Sequence, residues 1–214
     1  MGLLDGYTGL LIVNPSPETL AYYGKVEVRQ SEVSKELSVL RERSATTRDG
    51  DHIVLSANIE LPDDVTSVSA NGAEGIGLYR TEFTFMVRDA FPDEEAQTRV
   101  YDEVLAAFAP RPVTMRTLDV GGDKALPYFP IAEDNALLGW RGIRLTLDNP
   151  GIFLIQLRAM LRANARHGNL QLLLPMISTC REVDHARELM KRAYNELVQS
   201  GQAALQPSVG VMLE

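Results

Sequence analysis

Two stretches decide how this chain folds: Gly75-Ile-Gly-Leu-Tyr-Arg80-Thr-Glu-Phe83 and Val113-Thr-Met-Arg116-Thr-Leu-Asp119-Val-Gly121-Gly-Asp-Lys124. Each is an apolar, strand-like run that ends abruptly in an arginine. Each is followed by polar and glycine-rich residues that read as a loop. Arginine presents a planar fork of donors that matches phosphate or carboxylate. Two of them at the ends of neighbouring strands make a site for a doubly charged anion.

Working outward, strand-like and helix-like patterns alternate. Towards the N-terminus, residues 52–60 read as a strand with partial alternation, and a short helix over 63–71 closes at Gly72. Between the two arginine stretches, Pro92-Asp-Glu-Glu95 opens a helix whose first turn suits the helix dipole. Val100, Val104, Leu105 and Phe108 form its apolar stripe. After Arg116 a long irregular segment runs from Asp119 to about Leu145, and loops of that length usually carry function. Asn149-Pro150 reads as an N-cap followed by proline, with Ile152, Phe153, Leu157, Met160 and Leu161 as the buried face and Gly168 as the stop. Leu170 to Met176 is a near-continuous apolar run, as in a strand covered on both faces. Thr179-Cys-Arg-Glu182 fits a capping box, its helix runs to Gly201, and Val209 to Glu214 reads as a fifth strand.

Five strands with four helical segments between them predict right-handed βαβ units around a parallel sheet. No glycine-rich dinucleotide turn follows the first strand, so a (β/α)8 barrel is favoured over a Rossmann sheet. A whole barrel needs eight units. The fold expected is therefore α/β, a truncated (β/α)8 TIM-type barrel with about five strands present. Before it, residues 9–14 read as a short strand. A helix capped by Ser16, with Pro17 in its first turn, extends to about Ala45. Its apolar stripe is Tyr23, Val26, Val33, Leu37 and Leu40; its charged face reads as solvated. Five barrel strands alone would leave two unpaired edges and an uncovered apolar interior, which predicts self-association through that surface or a distorted sheet.

Composition narrows the function. The 214 residues are 45% hydrophobic with a net charge of −8, which argues against a nucleic-acid or anionic-membrane surface. One cysteine, Cys180, permits no internal disulfide and suits a reducing cytoplasm. No run has the length of a membrane span, and no signal peptide is evident. The three histidines are scattered, without zinc spacing.

In a parallel barrel the reacting groups come from the carboxyl ends of strands. Those ends here carry Asn58 and Glu60, Arg80 and Glu82, Arg116 and Asp119, Met176, and Glu214. A carboxylate among arginines is a hard ligand for Mg2+, which holds phosphates through few protein groups plus water. The pattern points to a small phosphorylated acid with magnesium. The plainer readings stand beside it. Either arginine taken singly could be a structural ion pair with a neighbouring carboxylate. Gly121-Gly122 could be only a turn. Arg141 and Arg144 read as braces of the long loop, and Trp140 as packing. Cys180 reads as a small, half-buried cap residue. His52 and His185 read as structural or solvated, and His167 as suited to a helix C-terminus.

These residues resemble a known family. Gly-Ile-Gly-Leu-Tyr-Arg80-Thr-Glu-Phe, Arg116-Thr-Leu-Asp-Val-Gly-Gly-Asp-Lys124, Leu-Gly-Trp-Arg141-Gly-Ile-Arg144 and Gly-Val-Met-Leu-Glu214 are similar to enzyme I of the phosphoenolpyruvate-dependent phosphotransferase system. The run from Thr146 to Asn164 is most similar to its nitrogen-regulatory branch. The resemblance implies a phosphoenolpyruvate-binding (β/α)8 domain that uses Mg2+ and is the main homodimer contact. It implies that Arg80 and Arg116 hold the substrate phosphate and that Glu214 ligates Mg2+. It implies transfer of the phosphoryl group to the protein's own histidine and on to a small histidine phosphocarrier protein. Residues 1–15 then correspond to the end of a phosphohistidine domain, 16–48 to a linker helix and 49–214 to the first part of the barrel. The family's Ser-His motif, second metal ligand, further substrate arginine and proton-donating cysteine have no counterparts here. By that resemblance these 214 residues carry no catalytic residue and are expected to be inactive alone. Two other readings share the sequence: a pyruvate phosphate dikinase-like enzyme, and a non-catalytic dimerisation or regulatory module.

Overall fold

The computed structural model describes residues 2–41, 43–121, 126–130 and 139–213, with the backbone alone at 26, 27, 30, 31 and 34. Two compact units result, residues 1–53 and 54–214.

In the first unit, β1 (Gly2–Asp5) and β2 (Leu10–Val13) form an antiparallel hairpin with Gly2 opposite Val13. The sequence predicts only the second strand, because Gly-Leu-Leu-Asp is too short to signal one without its partner. The Asp5 carboxylate closes the hairpin by accepting the Tyr7 N–H at 2.9 Å and the Thr8 N–H at 3.3 Å, an Asx-type turn. Helix α1 (Pro17–Ser38) starts as expected: the Ser16 hydroxyl accepts the Thr19 N–H at 3.2 Å, and proline fills the first turn. It ends seven residues before Ala45. The run Ser44-Ala-Thr-Thr47 competes with helix through its own hydroxyls, and Thr47 Oγ1 accepts the Asp51 N–H at 2.9 Å across the Gly50 turn. Thr46 and His52 form an antiparallel bridge there. Of the predicted apolar stripe, Val33, Leu37 and Leu40 are exposed.

The second unit contains β3 (Ser56–Ile59), α2 (Asp64–Ala70), β4 (Gly75–Arg80), α3 (Glu82–Met86), α4 (Glu94–Phe108), β5 (Val113–Arg116), α5 (Ile143–Asp148), α6 (Pro150–His167), β6 (Leu170–Leu174), α7 (Cys180–Gln199) and β7 (Ser208–Val211). The sheet order is β3-β4-β5-β6-β7, and every neighbouring pair is parallel. Among the described strands the order never reverses, so there is no switch point of the doubly wound kind. An α/β fold with five sequential parallel strands flanked by helices is consistent with part of a TIM-type barrel.

One face of the sheet packs on the helices. Val113, Met115, Leu170, Leu172 and Leu174 are buried against Leu105, Phe108, Leu157, Leu161, Ala186 and Leu197. The other face is more polar: Thr114 Oγ1 lies 3.1 Å from Gln171 Oε1. Leu170–Leu174 thus alternates rather than being covered equally on both sides. Outside the sheet, Arg158 and Arg162 on α6 pair with Glu94 on α4 at 2.6 and 3.0 Å, and Arg158 also pairs with Glu196 on α7 at 2.7 Å.

Several expectations need correction. The first strand of this unit spans 56–59 rather than 52–60, because Ala45 and Thr46 hold His52 and Ile53 in the preceding unit's turn. The residues after Arg80 form a short helix instead of a loop. Phe85 of that helix is fully buried in a second core with Leu118, Val120, Leu126 and Leu145. The long segment becomes helical by Ile143. Asn149 occupies the N-cap position of α6 with Pro150 after it, as expected, but its side chain makes no capping bond; the amide donates instead to the Leu145 carbonyl at 3.0 Å and ends α5. Cys180 opens α7 but is exposed, not half-buried. The Thr179–Glu182 capping box forms as expected. The last strand stops at Val211, although the Met212 N–H still donates to the Leu174 carbonyl at 2.9 Å. Asp123, Lys124 and Glu214 lie outside the described residues.

Candidate anion-binding site

Parallel strands deliver their carboxyl ends to one rim. Arg80 and Arg116 are direct register partners at the ends of β4 and β5. The structure therefore brings together the two arginines that the sequence singled out. Glu60 follows β3 on one side, and Met212 follows β7 on the other.

Their surroundings differ. The Arg80 side chain is 42% exposed, and its Nη1 contacts Glu60 Oε1, itself on a side chain 50% exposed. Both line a cleft of about 450 Å³ with Asn58, Leu61 and Asp64. The Arg116 side chain is only 8% exposed. Its Nη2 donates to Glu82 Oε1 at 2.6 Å, and its Nη1 lies 3.3 Å from Asp119 Oδ2. The same Nη1 lies within 3.7 Å of Met212 Sδ, just after β7. Among the described residues, the buried Nε has no hydrogen-bond partner. Buried donors are nearly always satisfied, so an acceptor from outside these residues would fit there.

Asp119 is shared. Arg141 Nε donates to its Oδ1 at 3.1 Å and Arg141 Nη2 to its Oδ2 at 2.9 Å, a fork-on-carboxylate contact. Glu82, Arg116, Asp119 and Arg141 thus form a buried chain of alternating charge. It fixes Arg116 from two sides at the desolvation cost that buried ions carry.

Backbone detail makes this possible. Gly121 has φ +119°, and a Cβ there would lie 2.5 Å from Arg141 Cβ. Only glycine lets the Gly139–Gly142 loop lie on the loop after β5. Gly142, at φ +57°, approaches Asp119 Oδ1 and Met176 in the same way, and its N–H donates to the Val120 carbonyl at 3.2 Å. The glycine pair that reads as a plain turn is, at Gly121, a packing requirement. Arg141 and Arg144 brace the loop as expected: Arg144 donates to the Gly139 carbonyl and to Ser178 Oγ, both at 2.8 Å. Trp140 donates to Asp148 Oδ2 at 2.7 Å and packs beside Phe129. His167 bonds Asp102 Oδ1 at 2.9 Å at the end of α6, and His185 is exposed on α7.

The roles of Glu82 and Asp119 as the counter-charges of Arg116 are not evident from sequence, nor is that of Gln156. Gln156 is 1% exposed inside α6. The available signal was position: it lies on the buried stripe with Phe153, Leu157 and Met160, where a polar residue needs partners.

The family described as PEP-utilising enzyme, PEP-binding domain, matches residues 34–214. The chain belongs to this family. A Salmonella typhimurium protein named phosphoenolpyruvate-dependent phosphotransferase system is 46% identical over 213 residues, covering 99% of this chain and 28% of that protein. Phosphoenolpyruvate-protein phosphotransferases of Staphylococcus carnosus and Geobacillus stearothermophilus are each 44% identical over 214 residues, covering 99% of this chain and 37% of theirs. The chain thus spans well under half the length of these curated relatives. In this PEP-binding family member, the paired arginines occupy the strand ends where parallel barrels carry their ligands. Among the described residues, no group of three or more His, Cys, Asp or Glu could hold a metal, and no helix is long and apolar enough to cross a membrane.

Proposed function

We propose that this chain is the phosphoenolpyruvate-seating part of a phosphoenolpyruvate-protein phosphotransferase, enzyme I of the phosphotransferase system. Arg80 and Arg116 hold the substrate phosphate. The observation that carries the reading is their register pairing at one rim, in a chain of the PEP-binding family. Two adjacent guanidinium groups neutralise a phosphate dianion and keep it oriented for in-line transfer. The buried Arg116, fixed by Glu82 and Asp119, sets the position; the exposed Arg80 turns from Glu60 to the incoming anion.

Magnesium belongs to the same reading. Glu82 and Asp119 are engaged by arginines, which leaves them poor metal ligands. Glu214 is the residue that would hold the ion, and one carboxylate with phosphate oxygens and water is a usual Mg2+ environment. Met212, two residues earlier, already touches Arg116. When bound, the ion would withdraw charge from the phosphoryl oxygens as the bond to the enolate breaks.

The reading takes the acceptor histidine from outside residues 1–214, since no glycine-rich Ser-His motif occurs in the chain. The phosphoryl group then passes to a small histidine phosphocarrier protein. Residues 1–15 are read as the end of the phosphohistidine domain, 16–48 as its linker and 49–214 as barrel. The nitrogen-regulatory branch is favoured by the Thr146–Asn164 run, and the whole protein is read as a cytoplasmic homodimer.

The test uses the full gene product, labelled phosphoenolpyruvate and Mg2+. Wild-type protein should take label on histidine. The Arg80→Ala and Arg116→Ala variants should not, nor should residues 1–214 alone. Undiminished labelling in both variants would overturn the reading.

A further inference from the structure

Behind the rim lies a hydrogen-bond chain that the anion site does not itself explain. Gln156 Nε2 donates to Thr81 Oγ1 and to the Tyr101 hydroxyl, both at 3.2 Å. Gln156 Oε1 accepts the Leu118 N–H at 2.9 Å. Thr81 Oγ1 donates to the Arg116 carbonyl at 2.9 Å. Tyr101 donates to Gln97 Oε1 at 3.0 Å, and Gln97 donates to the Pro92 carbonyl at 2.8 Å. Thr81, Gln97, Tyr101 and Gln156 are all buried.

The proton positions in this chain follow from its ends. A backbone N–H can only donate, so the Gln156 oxygen must face Leu118. Its amino group must then serve both Thr81 and Tyr101. The Arg116 and Pro92 carbonyls can only accept, so the Thr81 proton goes to the first and the Gln97 amide to the second. Tyr101 therefore gives its proton to Gln97 and its lone pair to Gln156. Burial pushes the Tyr101 phenol well above its ordinary pKa, so it keeps that proton. The network has one arrangement that satisfies all six of these bonds, and such buried polar chains rigidify a site.

Its geometry bears on both arginines. Thr81 is the residue after Arg80, and its hydroxyl is tied to the carbonyl of Arg116. Leu118 precedes Asp119, the shared partner of Arg116 and Arg141. One side chain on α6 thus bonds the hydroxyl of the residue after Arg80 and the backbone N–H of the residue before Asp119. We infer that Gln156 is a positioning residue for the anion site, setting the separation of Arg80 and Arg116 through Thr81 and the placement of Asp119 through Leu118. This rests on the phosphoenolpyruvate reading above and deepens it. Gln156 touches no substrate; it acts through the two strand ends, where small displacements of charged groups are costly to rate.

A purely architectural role would lower stability and leave the affinity of folded molecules intact. The two roles separate in the full gene product, assayed for phosphoenolpyruvate-dependent labelling with Mg2+ alongside thermal unfolding. Gln156→Met keeps volume and removes all three hydrogen bonds. Thr81→Val keeps shape and removes the link to Arg116. Both should lower kcat/KM for phosphoenolpyruvate by about tenfold or more, mostly through a higher KM, as expected when binding to a fixed anion is loosened. The double variant should be no worse than the worse single one, because both cut one chain. Leu161→Ala, in the same helix and core, should lower Tm and leave KM unchanged. If Gln156→Met does not fold, Thr81→Val decides the matter alone. Wild-type KM in the folded variants, or an equal KM rise in Leu161→Ala, would overturn the inference. A wild-type protein that shows no response to phosphoenolpyruvate would overturn the underlying reading, and the inference with it.

Discussion

Arg80 and Arg116 are neighbours on adjacent strands, yet they sit in opposite electrostatic regimes. Arg116 is desolvated and held by two buried carboxylates, Glu82 and Asp119, with side chains 4% and 3% exposed. Arg80 is open to water and shares its charge with one exposed carboxylate, Glu60. Attraction between exposed ions is screened and adds little to stability, whereas a buried ion that loses its partner is costly. Residue type and strand position are the same, so the difference comes entirely from what the third dimension places around each. One arginine is part of the architecture as well as of the proposed site; the other has only the proposed site to account for it.

The largest test of this contrast is Arg116→Ala. It strips a counter-charge from buried Glu82 and one of the two arginines from Asp119. Unfolding free energy should fall by about 3–5 kcal/mol, read from urea denaturation. A loss under about 1 kcal/mol, the range of an exposed pair, would erase the distinction. Next comes Arg80→Ala, which should change stability by no more than about 0.5 kcal/mol in the same measurement. The smallest effect is expected from Glu60→Gln. Removing the competitor for Arg80 should tighten binding of phosphoenolpyruvate by at most about fivefold, the equivalent of roughly 1 kcal/mol. The gain should shrink as salt is raised. Weaker binding instead would mean that Glu60 helps to place the arginine rather than competing for it.

Much of the frame was legible in the sequence. The apolar runs ending at Arg80 and Arg116 give β4 and β5 with the expected bounds, because local pattern and tertiary pairing agree there. The Ser16 and Thr179 caps work as read, since capping is settled within three residues. Where long-range contacts decide, local reading fails. The strand Gly2–Asp5 exists through its hairpin partner. The first strand of the sheet is shortened by a turn centred on Gly50. The helix Glu82–Met86 is held by Phe85, whose burial depends on Leu118 and Leu145. The site divides in the same way. Both arginines were visible as residues at strand ends. Their partners were not: Glu82 lies 34 residues from Arg116, and Gln156 lies 75 from Thr81. Glu214 and the Asp123-Lys124 pair fall outside the described residues.

The central claim is that Arg80 and Arg116 together seat a phosphate. It is tested most directly by calorimetric titration of phosphoenolpyruvate with Mg2+ into the full gene product, comparing wild type with Arg80→Ala. Because Arg80 contributes little to the fold, any change reports on the ligand. The account predicts an affinity at least about tenfold lower, the scale of removing one charge-assisted hydrogen bond, with an unchanged denaturation midpoint. Equal affinity in the two proteins would contradict it.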